Sequence, residues 1–338
     1  LNLDLSTLAA TDEDVARMTR PEREARVALL IEESHALLAE GKRLFVEEEG
    51  KVLAATVVLF SGGNDSTVLA HLFREHATHA GHANTGVGVE RTRQYVRDVC
   101  ASWGLPLLER SAPRAVDSYR AIVLDQGFPG PGHHYKMFQR LKERALRTIR
   151  AELVGPGRTR SHRVIFLAGR RRAESQRRTN IPEFERDGSV VWISPLVNWT
   201  KPDMTTYRIM MRREGVAVPV NEVSDLIHMS GECLCGAFAH ENERAEISMW
   251  FPEAFAEIAL LEAEIADRDD IPDYRKTWGW GWEKHEIMKR LKQQAKTPGL
   301  QVDDVMALLE ADMTPSTSGP LCSSCDARAE GGEAISVQ

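Results

Sequence analysis

No stretch of the 338 residues is apolar over the ~20 positions that a bilayer-spanning helix needs, so no membrane partner is expected. The start, LNLDLSTLAATDEDVARM, has no basic flank followed by an apolar core. A secretory signal is therefore not expected, and the cytoplasm is the expected location. Positive charge is not in excess. The formal net charge of −7 argues against a protein that coats nucleic acid by bulk electrostatics, though it leaves room for a local basic groove. Cysteine is scarce, and 5 in a cytoplasmic chain do not make a disulfide framework. No internal repeat is visible. What remains is ordinary for a globular protein, with 42% hydrophobic and 28% charged residues, and the length suits about two domains.

The charges that are present are unevenly placed. Residues 136–178 are rich in Arg and Lys, and 241–270 in Glu and Asp. The basic stretch reads either as a solvated helix face or as an anion site. Residues 1–50 read as an N-terminal helical arm, with one helix starting at Thr11 and a second, PEREARVALLIEESHALLAEG, ending at Gly41. Over 51–228, strands at 56–60, 79–84, 105–112, 163–169 and 190–196 alternate with helices starting near 64, 90, 114, 134 and 202. Strands buried on both faces and separated by helices predict an α/β fold with a doubly wound, mainly parallel sheet. Over 229–338 the pattern turns helical, at 241–266, 282–295 and 301–311, with a disordered end expected after 328.

The first strand runs directly into Ser61-Gly62-Gly63-Asn64-Asp65-Ser66 and then a helix. A glycine-rich turn at that place offers backbone N–H groups without intrahelical partners, and the helix dipole adds partial positive charge. Gly62 and Gly63 permit close approach of phosphate oxygens. Ser61 and Ser66 add hydroxyls, and Asp65 either caps the helix or helps position Mg²⁺. The GK[ST] ending of a Walker loop is missing, which argues against γ-phosphate transfer. Farther on, GRRRAESQRR (169–178) places Arg171 and Arg178 just beyond a strand, where guanidinium forks suit phosphate or sulfate. The alternative is surface pairing of these arginines with Glu174 and nearby acids. Lys136, RLKER (140–144) and the adjacent His133 and His134 are softer candidates.

SGGNDS resembles the pyrophosphate loop of the ATP pyrophosphatases, the PP-loop or adenine nucleotide α-hydrolase-like superfamily. NTGVGVERT (84–92), GRRRAESQRR and SPLVNWTKPDMTTY (194–207) resemble, in that order, motifs of its phosphoadenosine phosphosulfate (PAPS) reductase branch. Asn84 and Glu90 depart from the usual Asp and Pro. The resemblance covers about residues 51–225. It implies that Ser61, Gly62, Gly63, Asn64, Asp65, Ser66, Thr85, Gly86 and Gly169 bind ATP, with Asp65, Ser66, Arg171 and Arg178 acting in catalysis.

Four of the cysteines form two pairs, Cys233-x-Cys235 and Cys322-x-x-Cys325, with 86 residues between the pairs. Four thiolates suit tetrahedral Zn²⁺ or an iron–sulfur cluster, and spacing alone does not choose between them. Cys100 sits in a helical pattern and reads as a small buried apolar residue. Assimilatory adenylyl sulfate reductases, which resemble this chain, hold a [4Fe-4S] cluster on a similar set. So does the ATP-hydrolysing component of DNA phosphorothioation systems, and the resemblance favours [4Fe-4S] over zinc. The reductases attack sulfur with a tail cysteine, whereas the tail here, DARAEGGEAISVQ, has none. Trp278, Trp280 and Trp282 read as core packing, with a base-stacking surface as the rival.

The resemblance implies an ATP pyrophosphatase that adenylates a substrate for sulfur incorporation. The acceptor would be nucleic acid, as in DNA phosphorothioation or tRNA thiolation, and a partner such as a cysteine desulfurase would donate the sulfur. Homo-oligomers are compatible with this reading. The alternatives are an adenylyl sulfate or PAPS reductase fed by an external thiol, and a non-catalytic nucleotide sensor with structural zinc.

Overall fold

The computed structural model describes residues 9–174, 178–240 and 242–281. The helices expected at 282–295 and 301–311, the end after 328, Ser175, Trp282, Cys322 and Cys325 lie outside them.

The strands are β1 (Val52–Leu59), β2 (His79–Ala83), β3 (Leu107–Arg110), β4 (His162–Leu167), β5 (Phe184–Asp187) and β6 (Val190–Ile193). They form one sheet in the order β3-β2-β1-β4-β6-β5. All pairings are parallel except β5 with β6. The apolar runs alternate between two cores, as the period-2 geometry of a strand requires. Val58, Ile165, Leu167, Val191 and Ile193 face one side. Val57, Val164, Phe166, Val190 and Trp192 face the other. Both faces are thus apolar, which is why the strands read as continuous hydrophobic runs.

On the first face lie α2 (Arg20–Lys42), α3 (Asn64–Phe73), α4 (Glu90–Ser102) and α8 (Lys201–Arg213). The short α1 (Asp12–Arg17) precedes them, capped by Thr11 and Asp14. The second face is covered by a helix that starts as α6 (His134–Met137), widens into π turns over Phe138–Glu143, and continues as α7 (Arg144–Val154).

The segment expected as an arm is part of this layer. In α2, Val27, Leu30, Leu37 and Leu38 are buried in the first core. The buried pair Arg26–Asp203 (3.1 Å) ties α2 to α8. Nor does the helix stop at Gly41. It runs to Lys42, and Gly41 serves a close approach instead, since a Cβ there would fall 2.4 Å from Ile193 Cδ1 of β6.

A third core sits beyond the sheet. It joins α5 (Tyr119–Gln126), α9 (Glu222–Ile227), α10 (Glu243–Trp250) and α11 (Pro252–Ile265) to Val87, Val89, Leu234 and Trp278. The helix expected over 241–266 is two helices, because Phe251 leaves helical geometry before Pro252 opens the next.

Candidate active site

In the order β3-β2-β1-β4-β6-β5, the chain turns to one side after β1 and to the other at β4. The crevice beyond the C-terminal ends of β1 and β4 is therefore the switch point of the sheet, where such folds hold ligands. A cleft of about 900 Å³ opens there. Ser61, Gly63, Asn64, Asp65 and Ser66 line one wall, and Gly169, Arg170, Arg171, Glu174 and Arg178 line the other.

The turn after β1 is held by its own hydrogen bonds. Gly62 has φ +79°, and a Cβ on it would sit 2.8 Å from Thr92 Cγ2, so glycine is required for both reasons. Ser66 Oγ and Thr67 Oγ1 both donate to the Gly63 carbonyl at 2.9 Å. Ser61 Oγ and Ser66 Oγ lie 3.1 Å apart. Gly63 is the N-cap of α3, and no side chain caps that helix. Its first amides thus face the cleft without a capping oxygen, and the dipole adds to their pull on anions.

Across the cleft, Arg171 is only 6% exposed. Its Nε donates to Asp65 Oδ2 at 2.8 Å, and its Nη1 is buried with no hydrogen-bond partner. Asp65 therefore engages an arginine rather than capping α3. Its side chain stays 29% exposed, a hard oxygen donor that fits Mg²⁺. Arg178 pairs with Glu174, the acid that the surface-pairing alternative names. Arg170, also buried, donates to Ser194 Oγ (2.7 Å) and reaches Glu185 (3.2 Å).

Thr85 and Gly86 do not line the cleft. Thr85 is buried, its amide donating to Glu232 Oε1 (2.9 Å) and its hydroxyl to the Glu232 carbonyl (2.6 Å). Gly86, at φ +74°, borders a separate 200 Å³ cavity beside Leu234. The segment expected to touch nucleotide is instead the seat of the cysteine loop.

That loop brings Cys233 and Cys235 together. A hydrogen bond from Cys235 pulls the Cys233 pKa down against the effect of burial, and the charges of Lys142 and His134 help. Cys100 is the opposite case: burial alone pushes its thiol up to about 12, so it is an inert packing residue. Trp278 is buried and donates Nε1–H to the Leu234 carbonyl at 2.8 Å. Trp280 packs on Gly130 and donates to the Phe128 carbonyl. Both tryptophans pack the core.

Sequence reading missed several groups at the cleft. Arg208 of α8 lines it and reaches the Asn64 carbonyl (3.3 Å) and the Pro219 carbonyl (2.8 Å). Burial lowers its pKa. Asn221, the N-cap of α9, donates to the Gly62 carbonyl at 2.9 Å. Lys142 and Glu232 also line the cleft. Lys142 belongs to RLKER (140–144), already a softer candidate in the sequence. The others carry no such signal, because tertiary packing alone brings them here.

Comparison with known proteins bears on this geometry. Residues 55–219 match the profile of the phosphoadenosine phosphosulfate reductase domain. Over those residues the chain is similar to that domain. The matched span runs from within β1 to the residues just before α9, and so holds both walls of the cleft. The solved structures similar to it include two yeast enzymes. One is a PAPS reductase from Candida auris in complex with phosphate, 16% identical, with 64% of this chain and 93% of that chain covered and a TM-score of 0.38. Another is an FMN adenylyltransferase from Candida glabrata with FAD and inorganic pyrophosphate, 12% identical, covering 67% and 68%, with a TM-score of 0.35. The curated proteins give no match.

Among the described residues, no group of three or more His, Cys, Asp or Glu converges as a metal site. Cys322 and Cys325 lie outside those residues. The two described thiols, hydrogen-bonded to each other in surroundings that favour the thiolate, fit one half of a soft-metal or cluster site.

Proposed function

We propose that this chain is a PP-loop ATP pyrophosphatase that adenylates an acceptor for sulfur incorporation. One observation carries the reading. Arg171, buried, keeps an unused Nη1 donor in a cleft whose facing wall is the uncapped N-terminus of α3. A buried guanidinium with an unused donor costs free energy until an anion meets it.

In this mechanism the turn 61–66 holds the terminal phosphates of ATP through backbone amides, with Ser61 and Ser66 hydroxyls beside them. Mg²⁺, when bound with Asp65 among its ligands, supplies charge neutralisation of the polyphosphate. An acceptor oxygen attacks the α-phosphorus, the bridge from the α- to the β-phosphate breaks, and pyrophosphate leaves. Arg171 and Arg178 stabilise the charge that develops on the phosphoryl oxygens. A sulfur nucleophile from a donor protein such as a cysteine desulfurase then displaces AMP from the adenylated acceptor.

Cys233 and Cys235, with Cys322 and Cys325, would hold a [4Fe-4S] cluster or, less favoured, zinc. A cluster supplies electron-transfer or sulfur chemistry when bound. Lys142 supports the pairing of the two sites, since it lines the cleft and its charge also acts on Cys233. The same helix also carries Lys136, Arg140 and Arg147, and this basic charge supports a polyanionic acceptor such as nucleic acid.

The test is turnover by the full chain, purified without oxygen, with ATP and Mg²⁺. Appearance of AMP and pyrophosphate is expected. Sulfite released from adenylyl sulfate or PAPS with thioredoxin would replace this reading with that of a reductase. Bound ATP without turnover, together with one zinc and no iron, would reduce the protein to a nucleotide sensor.

A further inference from the structure

Glu232 directly precedes Cys233 and is 1% exposed, yet it forms part of the cleft wall. Its carboxylate is hydrogen-bonded through Oε1 and faces a histidine through Oε2. Oε1 accepts from the Thr85 amide at 2.9 Å, and Oε2 lies 3.0 Å from His82 Nε2. His82 is itself buried on β2, with Nδ1 2.7 Å from the Phe60 carbonyl at the end of β1. The backbone repeats the connection. Thr85 Oγ1 donates to the Glu232 carbonyl (2.6 Å), Val89 N to the Gly231 carbonyl (2.7 Å), and Leu234 N to the Val87 carbonyl (2.9 Å). The two segments are so close that a Cβ on Gly88 would fall 2.4 Å from the Glu232 oxygen.

On the far side, Tyr119 Oη donates to the Cys235 carbonyl at 3.0 Å. Trp278 holds the Leu234 carbonyl, and a Cβ on Gly236 would meet its indole nitrogen at 2.7 Å. The cysteine loop is thus clamped at successive carbonyls, and one of its clamps, Glu232, ends in the nucleotide cleft. Displacement of this wall cannot be absorbed locally, because tightly packed segments joined by several hydrogen bonds have few alternative arrangements.

We propose that Glu232 and Thr85 are positioning residues that couple occupancy of the cleft to the order of the Cys233–Cys235 loop. The inference rests on the cleft being the ATP site. A nucleotide that steadies the cleft wall steadies the thiol pair with it, so the pair is held more firmly when ATP is in place.

Amide hydrogen exchange on the full chain, with and without ATP and Mg²⁺, tests this. ATP is expected to slow exchange in peptides spanning 61–67 and 231–236, the latter by about tenfold. In Thr85→Val and Glu232→Gln, protection should persist at 61–67 and vanish at 231–236, with β4 amides at 162–167 reporting that the fold is intact. Thr85→Val exchanges the hydroxyl for a methyl of similar size and keeps the test valid if Glu232→Gln fails to fold. Protection at 61–67 alone in the wild type, or undiminished protection at 231–236 in Thr85→Val, would overturn the coupling. No protection at either segment would overturn the ATP reading, and the coupling with it.

Discussion

Replacing Arg171 with Met separates binding from stability. The guanidinium makes one charged hydrogen bond, to Asp65, and leaves Nη1 unused. Asp65 is partly exposed, so water can take over its solvation and the ion pair is worth about 1 kcal/mol or less. Removing a buried, unsatisfied donor returns about 1–3 kcal/mol. The two contributions oppose each other, and Arg171→Met is expected to be as stable as the wild type or slightly more so. ATP binding should respond in the other direction. A charge-assisted contact to phosphate contributes about 1.5–3 kcal/mol, which corresponds to a roughly 10- to 150-fold weaker Kd. Calorimetric titration with ATP and a urea denaturation series read the two quantities on the same preparation. Two results would refute the reasoning. One is a Kd within about threefold of wild type. The other is a loss of more than about 3 kcal/mol of stability, the cost of breaking a fully buried pair.

Further outcomes follow from the same geometry. Asp65→Ala should abolish release of pyrophosphate while circular dichroism and the thermal midpoint stay near wild type. Gly62→Ala forces a left-handed conformation and a contact with Thr92, and should cost about 2–4 kcal/mol in urea unfolding. His71 is buried against Tyr207, with Nδ1 2.7 Å from its hydroxyl. Burial, aided by Arg74 and Arg208, lowers its pKa to about 4. The unfolded chain therefore binds this proton first. Its contribution is complete above about pH 6.5 and fades as pH falls toward 4, so His71→Gln should flatten the stability profile in that window. Cys233→Ser should lower the iron content of protein isolated without oxygen, whereas Cys100→Ala should leave it unchanged.

The sheet was legible because its strands are buried on both faces. TVVLF, RVIFL and VVWI carry no polar residue beyond Thr56 and Arg163, and no other element of the chain has that texture. The turn Ser61–Ser66 was legible because its glycines stand out between a strand and a helix, and Gly62, at φ +79° against Thr92, occupies a place that only glycine fits. β5 escaped notice because FERD is a charged edge strand, formed only by folding back through Gly188 onto β6. α9 is a six-residue helix, too short to show periodicity. Gly41 misled by resembling a helix terminator when its purpose is contact with Ile193. Glu232 and Arg208 were invisible for a deeper reason. Each reaches the cleft from an element more than a hundred residues from the phosphate turn, and a single chain read in order has no mark for such meetings.

The wide turns at Phe138–Glu143 have an evolutionary corollary. A π turn holds one residue more than an α turn, so shortening the chain by one position there would restore ordinary pitch. It would also swing everything before it by about 100° about the axis. His134, whose ring now packs at a tilt 4.9 Å from that of Phe238, would rotate off it, and Phe138 would leave the cleft wall. Deletions in this stretch should thus be far less tolerated than substitutions, and a relative lacking one residue here would need a differently shaped pocket.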